Sequence, residues 1–317
     1  MPRHRQPESR SHSFWHRLPE TASTLLKWSV KNNHTRILTG GLLIGVCFLP
    51  TWCWVLWDLT LSGFSTPFFN LAFAYLALDR LWHRRHQLAQ FIPSDEEKLV
   101  GHLLILGAAI AFPLSQSSTS LQTLICLLIV LGSFYSTWGV SVIRHCGFEI
   151  CLLLLSLYPD WVFLSVQLWR TLTPANLLEN FMAWMGGIGL RTIGQPATAN
   201  GIYLTLPNGA VEVGPGCSGF DMAFTIVCFT VLLGLFLQQD WFKITWVVLI
   251  GIILALIFNI PRIMLLAIAA IYWGQQSFEF WHGPMGGQIF SVLLLTVYYY
   301  VAMAFFNQNS IKSSPKI

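Results

Sequence analysis

The sequence predicts an all-α polytopic membrane protein of about eight transmembrane helices, and three observations carry that prediction. Only 10% of its residues are charged, against roughly 25% in a soluble domain. Hydrophobic residues make up 54% of the 317-residue chain, and apolar runs near membrane-spanning length recur from end to end. The basic residues fall in the tails and between the runs, so the net charge of +4 is no sign of nucleic-acid binding.

Residues 1–36 form a polar tail with Arg3, Arg5, Arg10, Arg17, Lys27, Lys31 and Arg36 against Glu8 and Glu20. No signal-peptide pattern precedes the first apolar run, and Phe14 to Val30 has a weak periodicity suited to the membrane surface. The membrane domain, 37–306, divides into spans at about 37–57, 64–82, 99–115, 121–140, 148–169, 219–239, 243–260 and 284–306. A short tail, 307–317, follows. With the N-terminal tail in the cytoplasm and the spans alternating, only Arg170, Arg191 and Arg262 of the 18 basic residues lie outside, as the positive-inside rule favours. Both tails are therefore expected in the cytoplasm.

Ile263 to Gln275 interrupts the alternation. Its apolar stretch is about 20 Å long as a helix, too short for a ~30 Å hydrocarbon core. It is either a re-entrant or interfacial piece, or the end of a long helix kinked at Pro261. Both readings leave 276–283 outside. The largest external segment, 171–217, contains an apolar stretch from Asn176 to Leu190 that suits an interfacial helix. It also contains a short hairpin, Ile202–Leu206 and Val211–Val213, around an Asn208-Gly209 turn.

The hairpin delivers the chain to Gly214-Pro215-Gly216-Cys217-Ser218-Gly219-Phe220-Asp221. Small residues there admit close approach of another backbone. Ser218 with Asp221 three residues on reads as a capping pair, and a helix N-terminus beside Cys217 would favour the thiolate. The seven cysteines, at 47, 53, 126, 146, 151, 217 and 228, show neither a CxxC pair nor metal-ligand spacing, so no disulfide framework, metal or cofactor is expected.

Spans 219–239 and 243–260 are joined by a short turn, which returns Arg262 to the membrane face of Cys217. His282, just before the last span, reaches the same face. A thiolate attacks a peptide carbonyl, a histidine moves the protons and an arginine stabilises an oxyanion. Each residue also has a plain reading. Cys217 is a small hydrophobe, Arg262 a headgroup anchor and His282, beside Trp281, part of an aromatic belt.

Gly216-Cys217-Ser218-Gly219, Asn259-Ile260-Pro261-Arg262 and Trp281-His282 together resemble the three motif blocks of the exosortase/archaeosortase family. The form Phe280-Trp281-His282-Gly283-Pro284 resembles its cyanoexosortase subgroup. The resemblance covers about 37–306 and implies an enzyme of about eight spans in the plasma (inner) membrane, active at the extracytoplasmic face. Its expected partners are exported proteins ending in a sorting signal: a short motif, commonly Pro-Glu-Pro, then a membrane helix and a basic tail. The family's cysteine, arginine and histidine carry over to Cys217 as nucleophile, Arg262 as oxyanion stabiliser and His282 as general acid/base. The expected outcome is acyl transfer to a surface glycan or lipid acceptor. The chain departs from the family pattern in its long basic N-terminal tail and in the proline before the arginine. A transporter, or a non-enzymatic polysaccharide-export or assembly partner, is the alternative, and neither has need of Cys217.

Overall fold

The computed structural model describes residues 31–307. The expectations for the tails, apart from their inner ends, lie outside the described residues. The helices are α1 (Asn33–Leu61), α2 (Thr66–His83), α3 (Arg85–Leu88), α4 (Asp95–Ala111), α5 (Thr119–Leu157), α6 (Trp161–Leu172), α7 (Leu177–Thr192), α8 (Phe220–Phe236), α9 (Trp241–Ile268), α10 (Gln275–His282) and α11 (Pro284–Asn307). Three strands, β1 (Thr198–Asn200), β2 (Tyr203–Leu206) and β3 (Gly209–Glu212), form an antiparallel sheet in the order β1-β2-β3. The fold is an all-α polytopic membrane protein with this small sheet inserted.

Among the described residues, five helices are long and apolar enough to cross a membrane: Asn33–Leu61, Asp95–Ser115, Thr119–Leu157, Trp241–Trp273 and Pro284–Phe306. Phe220–Phe236 is a shorter apolar helix. The eight expected spans are thus redistributed. The expected break between 121–140 and 148–169 appears inside α5 as non-helical backbone at Gly139 (φ 69°) and Cys146, and the rest of the second span divides between the end of α5 and a separate α6. Gly139 can hold this left-handed conformation because it lacks a Cβ.

The described residues divide into two compact units, 31–52 with 76–157 and 53–75 with 158–307. In the first, α4 and α5 pack antiparallel through small residues. A Cβ on Gly101 would stand 2.5 Å from Ser136 Cβ and 2.7 Å from the Gly132 carbonyl oxygen. Glu97 accepts the Val140 N–H at 2.8 Å, just after the Gly139 break.

In the second unit α8 and α9 are antiparallel, and their register is fixed by contacts at three depths. Gly234 meets Ile244, Gly251 meets Ile226 and Gly219 meets Asn259. Tyr298 of α11 is fully buried against this pair, its hydroxyl donating to the Val247 carbonyl at 3.1 Å and hydrogen-bonded to Thr230.

The uncertain stretch after Arg262 is resolved as the end of a long helix. α9 runs through Pro261 and ends in a π-helical turn, Ala269–Trp273, stopped by Gly274 at φ 85°. Its last three turns are enclosed. Gly186 and Gly189 of α7 lie against Ile263 and Met264, so α7 has a core face rather than a purely interfacial one. On another side, Leu204, Leu206 and Val213 share a buried cluster with Ile263, Leu266 and Ala267.

Two local readings are corrected. The two-residue loop between β2 and β3 is Pro207-Asn208, since Leu206 pairs with Gly209. Proline restricts φ to negative values, so this is not the type I′ Asn-Gly turn expected. A third strand, β1, also joins the pair. At α8 the N-cap is Gly219 at φ 80°, without a side-chain cap. The Ser218 hydroxyl instead donates to the Pro215 carbonyl at 2.7 Å.

Candidate active site

The register of α8 and α9 brings the ends of two distant segments together. Because Gly219 opposes Asn259, the turn Pro215–Cys217 lies level with the helical turn that carries Arg262. Asn259, fully buried, clamps this junction by donating its Nδ2–H to the Cys217 carbonyl at 2.8 Å. A Cβ at position 219 would come within 2.8 Å of Asn259 Nδ2. Glycine is needed here twice over, for its positive φ and for this close approach.

Two cavities meet at the junction. One, of about 280 Å³, is bordered by Cys217, Val211–Gly216, Ile263, Leu266, Phe278 and His282. The other, of about 370 Å³, is bordered by Gly216, Asp221, Arg262, His282, Ser62 and Ser291, among others. Gly216 and His282 belong to both walls. The three expected residues thus gather around one point, but on different sides. Cys217 opens on the more apolar cavity and Arg262 on the more polar one, while His282 borders both.

Cys217 is 9% exposed. Burial pushes its thiol above the usual cysteine range; the positive charge of Arg262 opposes that shift and Asp221 adds to it. Burial thus works against the thiolate expected from a helix N-terminus. The left-handed Gly219 separates the Pro215–Cys217 turn from α8, and desolvation disfavours the charged form. His282 is exposed, with its ring stacked on Phe278 at a centroid distance of 5.1 Å. No hydrogen bond joins it to Cys217 among the described residues. Catalytic contacts of this kind often tighten only when substrate is bound.

The available donors differ in kind. The N–H groups of Cys217 and Ser218 already donate to the Gly214 and Pro215 carbonyls at 2.9 and 3.2 Å. Arg262 Nε is buried and has no hydrogen-bond partner, although such groups are nearly always satisfied. Its guanidinium faces the polar cavity and a Cβ on Gly287 would stand 3.9 Å from Nη2. Asn259 Oδ1 is likewise buried and unpartnered. The expectations gave Asn259 no task. Its place in the Asn259-Ile260-Pro261-Arg262 block was the available signal, but its partner lies 42 residues away. No group of three or more His, Cys, Asp or Glu residues suited to a metal ion occurs among the described residues.

A thiol, an imidazole and a guanidinium bordering two adjoining cavities are a set of groups of the kind that acyl transfer uses. The profile of the transmembrane exosortase family matches residues 57–299. The chain belongs to that family, whose members are transmembrane cysteine proteases or transpeptidases. Neither the curated proteins nor the solved structures contain a match to the chain.

Proposed function

We propose that the protein is a membrane-embedded cysteine endopeptidase and transpeptidase that cleaves C-terminal sorting signals of exported proteins. One observation carries this reading. Arg262 holds a buried, unpartnered donor beside a cavity that shares its wall with the cavity of Cys217, and His282 lies in that wall. A cation serving only as a headgroup anchor has no need of a buried Nε.

In the proposed reaction His282 takes the Cys217 proton as Sγ attacks the carbonyl carbon. Arg262 stabilises the negative charge on the carbonyl oxygen. Collapse breaks the C–N bond, His282 returns the proton to the leaving amine, and the acyl group remains on Cys217 as a thioester. An acceptor amine or hydroxyl, or water, then takes the acyl group and regenerates the thiol. The site faces the extracytoplasmic side of the plasma membrane, and the Phe280–Pro284 block favours the cyanoexosortase subgroup.

Purified protein incubated with a labelled peptide carrying motif, membrane helix and basic tail tests this reading. Mass spectrometry should find the acyl fragment on Cys217, and hydroxylamine should release it. Cleavage that continues with Cys217 replaced by alanine would end the proposal. Reporter fusions at 90, 200 and 279 should place 90 inside and 200 and 279 outside. A cytoplasmic report at 279 would separate His282 from an external Cys217.

A further inference from the structure

We infer that the substrate segment preceding the scissile bond binds in extended form, as an added strand on the open edge of β3. This inference rests on the cysteine-peptidase reading and deepens it.

β3 is an edge strand of the sheet. In an antiparallel pair, opposed residues alternate between exchanging backbone hydrogen bonds and not exchanging them. The Val213 N–H donates to the Ile202 carbonyl at 2.8 Å, which sets the phase. Val213, Val211 and Gly209 therefore turn their backbone groups toward β2. Ala210 and Glu212, opposite Thr205 and Tyr203, turn theirs outward. Both residues are exposed, and neither backbone forms a hydrogen bond elsewhere among the described residues. A short row of free donors and acceptors is a template for another strand.

The edge leads to the candidate nucleophile. Glu212, Val213, Gly214, Pro215, Gly216 and Cys217 border one cavity, of about 280 Å³. Glu212 and Cys217 are five residues apart and hence no more than about 17 Å apart along the chain. An extended peptide paired with Glu212 reaches the thiol within about five residues of its own.

Side-chain placement follows from the pleat. Leu204 and Val211 border the cavity on the side of Ile263, Leu266 and Phe278. A strand paired on β3 sends every second side chain to that same face. The site accordingly selects an apolar residue or a proline at one register of the motif, while the alternate side chains face away. A proline is compatible because only every second N–H of an added strand is needed for pairing.

The test is a backbone N-methyl scan of the residues before the scissile bond, using the wild-type protein and acylation of Cys217 as the readout. N-methylation should lower kcat/KM about tenfold at alternate positions, chiefly through KM, and have little effect between them. Ala210→Pro and Glu212→Pro remove outward N–H groups and should produce a similar loss. Their melting temperatures and their rates of Cys217 alkylation should match wild type. Acylation that tolerates N-methylation at every position, or loses activity without alternation, overturns strand addition and leaves the peptidase reading intact. Failure of every peptide to acylate Cys217 overturns both.

Discussion

The α4–α5 pair and the α8–α9 pair are built by the same device and differ in how their charged groups are placed. Both are antiparallel, and both come close because glycines leave room for the facing helix, Gly101 against Ser136 and Gly234 against Ile244. In the first pair the carboxylates are answered. Glu97 accepts from Val140 and from Ser94, each at 2.8 Å. Glu149, 3% exposed, lies 3.4 Å from Arg84. In the second pair Arg262 Nε, buried and without a hydrogen-bond partner, lies beside a cavity. A carboxylate that is paired leaves no uncompensated charge inside the protein, whereas a donor kept free is available to a developing charge.

The largest effect that would break this contrast is at Cys217. Cys217→Ala should abolish peptide cleavage and thioester formation while leaving the protein inserted. Cys228→Ala, about 16 Å further along α8, should process substrate at the wild-type rate. A silent Cys217→Ala would remove the chemical distinction between the two helix pairs.

Arg262→Lys comes next. Lysine keeps the charge and the reach of an anchor but not the planar fork of donors. Acyl-enzyme formation should fall about 100- to 1,000-fold, the usual cost of losing an oxyanion donor, with little change in substrate binding. Burst kinetics with the labelled peptide separates the two quantities. A near-normal burst would return Arg262 to the role of an anchor.

The pairing of α8 with α9 was legible in the sequence because two apolar runs flank a short turn, and helix rise then places Cys217 level with Arg262. The break in α5 at Gly139 and Cys146 was legible too, but the pairing of Glu149 with Arg84, 65 positions earlier, was not, because Glu149 looks like a loop residue until that partner is in place. β1 was hidden for a related reason. Thr198, Ala199 and Asn200 show no apolar alternation, and the strand exists because Ala199 pairs with Leu204. At the candidate site, residue types and their common face were readable. The bond from Asn259 to the Cys217 carbonyl and the division into two cavities depend on contacts between segments, which spacing does not encode.

Two glycine substitutions sharpen the contrast at the level of a few kcal/mol. Gly101→Ala crowds the α4–α5 contact and should cost about 1–3 kcal/mol of stability without changing turnover per folded molecule. Gly219→Ala adds the strain of a positive φ and drives its Cβ against Asn259 Nδ2. Its stability loss should be similar, about 1–3 kcal/mol, but turnover per folded molecule should also fall, because the clamp on Cys217 shifts. Thermal melting in detergent, with rates normalised to the folded fraction, distinguishes the two. Equal turnover in both variants would deny Asn259 any part in positioning the thiol.

The smallest effect is electrostatic and concerns the resting thiol. Burial favours the neutral thiol of Cys217 and the charge of Arg262 pulls the other way. The thiolate is the species that reacts with a small alkylating agent, so iodoacetamide labelling of Cys217 should rise with pH to a midpoint above the ordinary cysteine value of about 8.5. Arg262→Gln removes a positive charge that favours the thiolate, so its midpoint should move higher and its labelling at neutral pH should slow. Arg262→Lys retains a positive charge and should move the midpoint less than glutamine does, even though its acylation is severely impaired. That split would separate the two tasks of the guanidinium, a charge felt by the thiol at rest and directed donors needed only as the oxyanion forms. If glutamine leaves the labelling profile unmoved, the charge does not reach Cys217, and Arg262 acts on the oxyanion alone.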